Sequence, residues 1–122
     1  MTSNSDIIRQ FVADWSTLDA EKLADYFTED GSYFNIPSQP VTGRDAVAAF
    51  IKGFTANWTE TQWDIVAMAE AGDTVFCERL DRTKTTAGDV DLPCNGVFVM
   101  QDGKIKEWRD YFDLNTFMKA MS

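Results

Sequence analysis

Past residue 60 the sequence breaks into four strand-like runs, 61–70, 74–85, 90–100 and 104–112, parted only by Ala71-Gly72-Asp73, Thr86-Ala87-Gly88-Asp89 and Gln101-Asp102-Gly103. Short gaps carrying Gly and Asp between such runs are hairpin signals, so the second half of the chain predicts an antiparallel meander. Pro93 interrupts the third run and marks an edge or a bulge there.

The first half reads differently. In Ser5–Asp19, residues Ile7, Ile8, Phe11, Val12 and Trp15 keep an i, i+3, i+4 rhythm, and Ser5 is placed to cap the helix. A second helical stretch, Ala20 to Phe27, follows a turn and points Leu23 and Phe27 to the core. A short strand at 32–36 runs into a Pro- and Ser-containing loop. Thr42 followed by Asp45 resembles a capping box for a third helix, whose stripe is Val47, Phe50, Ile51, Phe54 and Trp58. Asp113 is placed to cap a last short helix. Helices first and a meander after give an α+β fold, with three to four helices packed on one side of a curved sheet, in a single domain spanning residues 1–122.

Composition narrows the chemistry. The chain has no histidine, which removes imidazole bases, Ser-His and Cys-His dyads, and histidine-ligated metals. Acid–base work falls to Asp, Glu, Tyr, Lys or water. A net charge of −9 argues against nucleic acid and against an anionic membrane surface as partners. No apolar run reaches the roughly 18 residues of a spanning helix. With neither a basic start nor a signal-type stretch in MTSNSDIIRQ, a soluble cytoplasmic protein is expected, and the sequon at Asn57 is a chance match. Cys77 and Cys94 are expected to be buried free thiols.

Arg79 and Asp81 lie two apart on one strand and so share a face. The other face carries Phe76 and Leu80 beside Glu78 and Arg82, and parity alone leaves both a solvated pair and a buried one open. Asp110 tips the balance, because its same-face neighbours are Trp108 and Phe112. A carboxylate buried with them must be paired or protonated. Arg79 can bridge two carboxylates at once. Two acids beside one arginine favour a single shared proton, so one can donate while the other accepts. Tyr33 and Asn35, also on one face, could hold a water by hydrogen bonds or could simply end a strand.

The segments Tyr33-Phe34-Asn35-Ile36-Pro37, Gly43-Arg44-Asp45-Ala46-Val47, Glu78-Arg79-Leu80-Asp81, Gly103-Lys104-Ile105 and Trp108 to Leu114 together resemble limonene-1,2-epoxide hydrolase, over nearly the whole chain. The resemblance implies a six-stranded, mixed and mostly antiparallel sheet curved into a cone, of the nuclear-transport-factor-two and SnoaL-like type, usually as a homodimer. It implies cofactor-free and metal-free addition of water to an apolar epoxide, giving a vicinal diol with no covalent intermediate. By position, Asp110 would be the general base, Asp81 the general acid and Arg79 the bridge, while Tyr33 and Asn35 would orient the water. Phe54, Trp58, Thr83, Leu92, Cys94 and Phe112 would line the substrate pocket, with Thr83 polar among them. Isomerases and polyketide-cyclase-like enzymes of the same cone also use carboxylates in apolar pockets, and a non-catalytic ligand carrier would keep Arg79–Asp110 as a structural pair. Fold alone does not choose among these.

Overall fold

The computed structural model describes residues 3–120. In chain order the elements are α1 (Asn4–Asp14), a 3-10 turn (Trp15–Thr17), α2 (Ala20–Ala24), β1 (Phe27–Asn35), β2 (Pro40–Thr42), α3 (Arg44–Phe54), β3 (Trp58–Ala71), β4 (Thr74–Thr85), β5 (Asp89–Gln101), β6 (Lys104–Phe112) and α4 (Leu114–Ala120). The six strands form one sheet ordered β2-β1-β6-β5-β4-β3. The β1–β6 pair is parallel and every other pair antiparallel. The fold is α+β, with a six-stranded, mostly antiparallel curved sheet and four helices. Register shifts in β1–β6, β3–β4 and β5–β6 mark bulges, the features that bend and twist a sheet into a cone.

The meander behaves as its spacing predicts. β4 alternates burial residue by residue: Val75, Cys77, Arg79, Asp81 and Thr83 are inside, while Phe76 is 44% exposed. The concave face closes over an aromatic core in which Phe11 and Trp15 of α1 and the following turn meet Phe98 and Trp108. Pro93 sits where β6 has already ended: the β5–β6 ladder runs only to Cys94↔Phe112, so the missing N–H falls at a local edge and causes no bulge against β4.

Four boundaries differ from expectation. α1 is capped by Ser3, whose hydroxyl accepts from the Asp6 N–H at 3.1 Å. Ser5 lies inside the first turn, where its N–H and hydroxyl both donate to Glu70 Oε1 on β3. Phe27 does not end a helix; α2 stops at Ala24 and Phe27 opens β1, paired with Ile105. Its carbonyl is held by the Arg44 guanidinium at 2.7 and 3.0 Å. The proposed Thr42–Asp45 capping box does not form. Thr42 is spent in the β2 ladder opposite Ser32, and Gly43 becomes the N-cap with φ +100°, a left-handed backbone that glycine adopts without steric cost. Trp58 likewise leaves the α3 stripe and starts β3. Aromatic residues suit either period, so only their tertiary partners decide. Asp113 accepts from the Thr116 N–H and hydroxyl, as expected of a cap.

Candidate active site

The concave face of β4 delivers Arg79, Asp81 and Thr83, and β6 delivers Trp108, Asp110 and Phe112. β5 lies between them. Parallel pairing of β1 with β6 sets Tyr33 beside Trp108 and Asn35 beside Asp110. Residues distant in sequence thus meet through register alone.

Arg79 is 1% exposed, and four of its N–H groups are spent on carboxylates. Nε and Nη2 donate to Asp81 Oδ1 and Oδ2 at 3.0 and 2.9 Å. Nη1 and Nη2 donate to Asp110 Oδ1 and Oδ2 at 2.9 and 2.8 Å. The guanidinium rests on Trp63, 4.5 Å from the ring centroid, a buried cation–π contact. Asp110 Oδ1 also accepts from Trp108 Nε1 at 3.2 Å. Asp81 Oδ2 also accepts from the Cys94 thiol at 3.3 Å.

A carboxylate offers about four lone-pair sites. Three are used on each aspartate, leaving one on Asp81 Oδ1 and one on Asp110 Oδ2. Each acid therefore keeps one oxygen able to carry or to take a proton.

Electrostatics acts on Asp81 in a definite direction. Burial pushes the Asp81 carboxyl above its ordinary range; Arg79 opposes this, and the Asp110 charge adds to it. Burial pulls Arg79 down, but the two carboxylates outweigh burial and hold it charged. One positive charge against two negatives leaves a buried excess of one, which a proton on Asp81 cancels. Burial and then the Asp110 charge push the Tyr33 phenol well up, so it stays a hydroxyl; Asn35 hydrogen-bonds it. The Tyr33 ring stacks on Trp108 at 4.1 Å.

Tyr33, Asn35, Asp81 and Asp110 line one cavity, together with Phe54, Trp58, Thr83, Leu92, Cys94 and Phe112. Arg79 lies behind the two carboxylates. Room inside for the centre of a water molecule amounts to about 20 Å³, the scale of one water. α4 presses Phe117 against Phe54 and Phe112, with ring centroids 5.6 and 6.2 Å apart. Asp81, Cys94 and Asp110 also bring one potential metal-ligand atom each within 4.8 Å of one another. The guanidinium donating to both carboxylates places a fixed positive charge where a cation would sit, and the donor set fits arginine better.

Four contributors escaped sequence reasoning. Phe117 belongs to the last short helix, to which sequence reading gives no part in the site. Trp63 and Thr61 lie on β3, whose pairing with β4 sets them under the site. Gly96 is the fourth: a Cβ there would stand 2.7 Å from Arg79 Nη1 and 3.1 Å from Asp110 Oδ1. A glycine interior to a strand is itself a signal of close approach.

Residues 8–108 match the SnoaL-like domain. The chain belongs to that family. Among solved structures, the SnoaL-like domain described here is similar to a LEH-like epoxide hydrolase from M. tuberculosis, with 23% identity over 94% of this chain and 86% of that one and a TM-score of 0.80. It is also similar to a hypothetical protein with a ketosteroid isomerase-like fold from Catenulispora acidiphila, solved with trimethylamine, at 19% identity over 95% and 92% and a TM-score of 0.86. An NTF2-like protein of unknown function from Burkholderia pseudomallei matches at 18% identity over 100% and 99%, with a TM-score of 0.88. At these identities the likeness establishes the fold. Among the described residues, no helix is long and apolar enough to cross a membrane.

Proposed function

We propose that this SnoaL-like domain is a cofactor-independent epoxide hydrolase of the limonene-1,2-epoxide hydrolase type, adding water to a small, largely apolar epoxide to give a vicinal diol. The observation that carries this reading is one buried guanidinium clamping Asp81 and Asp110 while each keeps an open oxygen site.

The step balances without a cofactor. Asp110 takes a proton from a water held by Tyr33 and Asn35, and the water oxygen forms a bond to one epoxide carbon. The ring C–O bond breaks with its electron pair going to the ring oxygen, which receives the Asp81 proton. Push and pull occur together, and Arg79 keeps its charge while its partners exchange roles. Phe54, Trp58, Leu92, Cys94 and Phe112 supply the apolar wall. A substrate ring is larger than a water-sized cavity, so Phe54 and Phe117 part to admit it. The resemblance adds a cytoplasmic homodimer to the proposal.

A proton-transfer isomerase or cyclase can also use one ionised and one protonated carboxyl, but it needs neither an arginine bridging the two nor Tyr33 and Asn35 placed to hold a water. The test is diol formation from a panel of cyclic and 1,2-disubstituted epoxides, beside a β,γ-unsaturated ketone. Diol from any epoxide, lost in Asp110→Asn, supports the proposal. Isomerised ketone with no diol overturns it.

A further inference from the structure

Thr83 is 4% exposed and lines the cavity two residues beyond Asp81 on the same face of β4. Two strand residues set its side chain roughly 6.6 Å from that of Asp81. Beside it on β3 lies Thr61, its register partner and 3% exposed. The two hydroxyl oxygens are 2.7 Å apart. Thr61 Oγ1 also accepts from Trp63 Nε1 at 3.0 Å and donates to the Arg82 carbonyl at 3.2 Å.

Either hydroxyl can be the donor between Thr61 and Thr83. If Thr83 donates, both of its lone pairs stay open; if Thr61 donates, Thr83 keeps its own hydrogen and one lone pair. In both cases the Thr83 oxygen can accept a further hydrogen bond, and it has no further partner among the described residues. Trp58, another residue of the cavity wall, carries an indole N–H that also lacks a partner among them. A buried hydroxyl with an open lone pair in the cavity wall complements a group that donates a hydrogen bond, as an alcohol does.

We propose that Thr83 forms a hydroxyl-recognising subsite, and that the substrate is an epoxide bearing an alcohol at the far side of its carbon skeleton. The epoxide half of this statement rests on the hydrolase reading above; the alcohol half rests on the cavity alone. A buried hydrogen-bonding partner rejects an analogue that lacks its counterpart, because the wall oxygen is left unpaired. A carboxylated or phosphorylated substrate does not fit, since it would bury a further negative charge beside Asp81 and Asp110.

The test pairs two epoxides, cyclohexene oxide and its 4-hydroxy derivative, in the native protein, Thr83→Val and Thr83→Ser. The ratio of kcat/KM, hydroxylated over plain, is expected to fall about tenfold in Thr83→Val and to be kept in Thr83→Ser. A ratio that Thr83→Val leaves where it was overturns the subsite. Calorimetry with cyclohexanecarboxamide and 4-hydroxycyclohexanecarboxamide reads the same subsite without turnover. Tighter binding of the hydroxylated amide, about tenfold and lost in Thr83→Val, supports it even if neither epoxide is opened, in which case only the hydrolase reading falls. Equal affinity for the two amides in the native protein overturns it.

Discussion

Gly96 stands directly opposite Asp110 across β5 and β6, and the Arg79 guanidinium fills the space that its missing side chain leaves. Adding one methyl group there forces the guanidinium, the Phe98 ring at 2.9 Å or the Asp110 carboxylate to move. All three are side-chain atoms packed in the core, and two of them are hydrogen-bonded to each other, which leaves little room to yield.

Gly96→Ala is therefore expected to uncouple Arg79 from Asp110 and to lower kcat by about a hundredfold or more, as a misplaced catalytic group does. Overpacking should also destabilise the fold by about 1–3 kcal/mol. Steady-state kinetics and denaturant melts check both numbers.

Arg79→Lys is expected to behave like a loss, not a conservative change. A lysine ammonium has three donors at one point and cannot span four oxygen atoms. Arg79→Ala leaves two buried carboxylates facing each other, at about 3–5 kcal/mol in stability. Urea denaturation of both variants measures the difference.

The pH dependence follows from Asp81. Its carboxyl is held above the unfolded range chiefly by burial, so the folded state binds a proton that the unfolded chain releases. Stability contributed by that proton is complete below the unfolded value and is lost as pH rises through the folded one. Activity falls over the same upper limb, because the acid loses its proton. Asp81→Asn, neutral at every pH, should gain stability relative to the native protein as pH increases through that window. Paired melts at several pH values check the sign.

Both cysteines should be slow toward thiol reagents. Burial first, then the nearby carboxylates, push the Cys94 thiol far up, and burial raises Cys77 to about 11. Thiolate is the reactive form. At pH 8 an aromatic disulfide reagent should label neither in the native protein and both after denaturation.

How much of this could be read from residues alone differs from element to element. The meander was plain because turn residues and strand lengths are local properties. β4 was ambiguous, since Phe76 and Leu80 share one face while Arg79 and Asp81 share the other; Trp108 and Phe112 resolved it by making an exposed Asp110 untenable. The helix ends at Phe27 and Trp58 were misread because aromatic residues fit both periods and the deciding contacts are distant. Gly96, Trp63, Thr61 and Phe117 earn their place only through pairing across strands or helix docking, which no local pattern encodes.

Single-turnover hydrolysis of an epoxide in oxygen-18 water tests the central claim most directly. Asp110 acting as a base on water, with Asp81 as the acid, places one solvent-derived oxygen in the diol in the first turnover and none in any carboxylate of the protein. An unlabelled diol in that first turnover, with label later found in Asp81 or Asp110, would mean a covalent ester and would contradict the account.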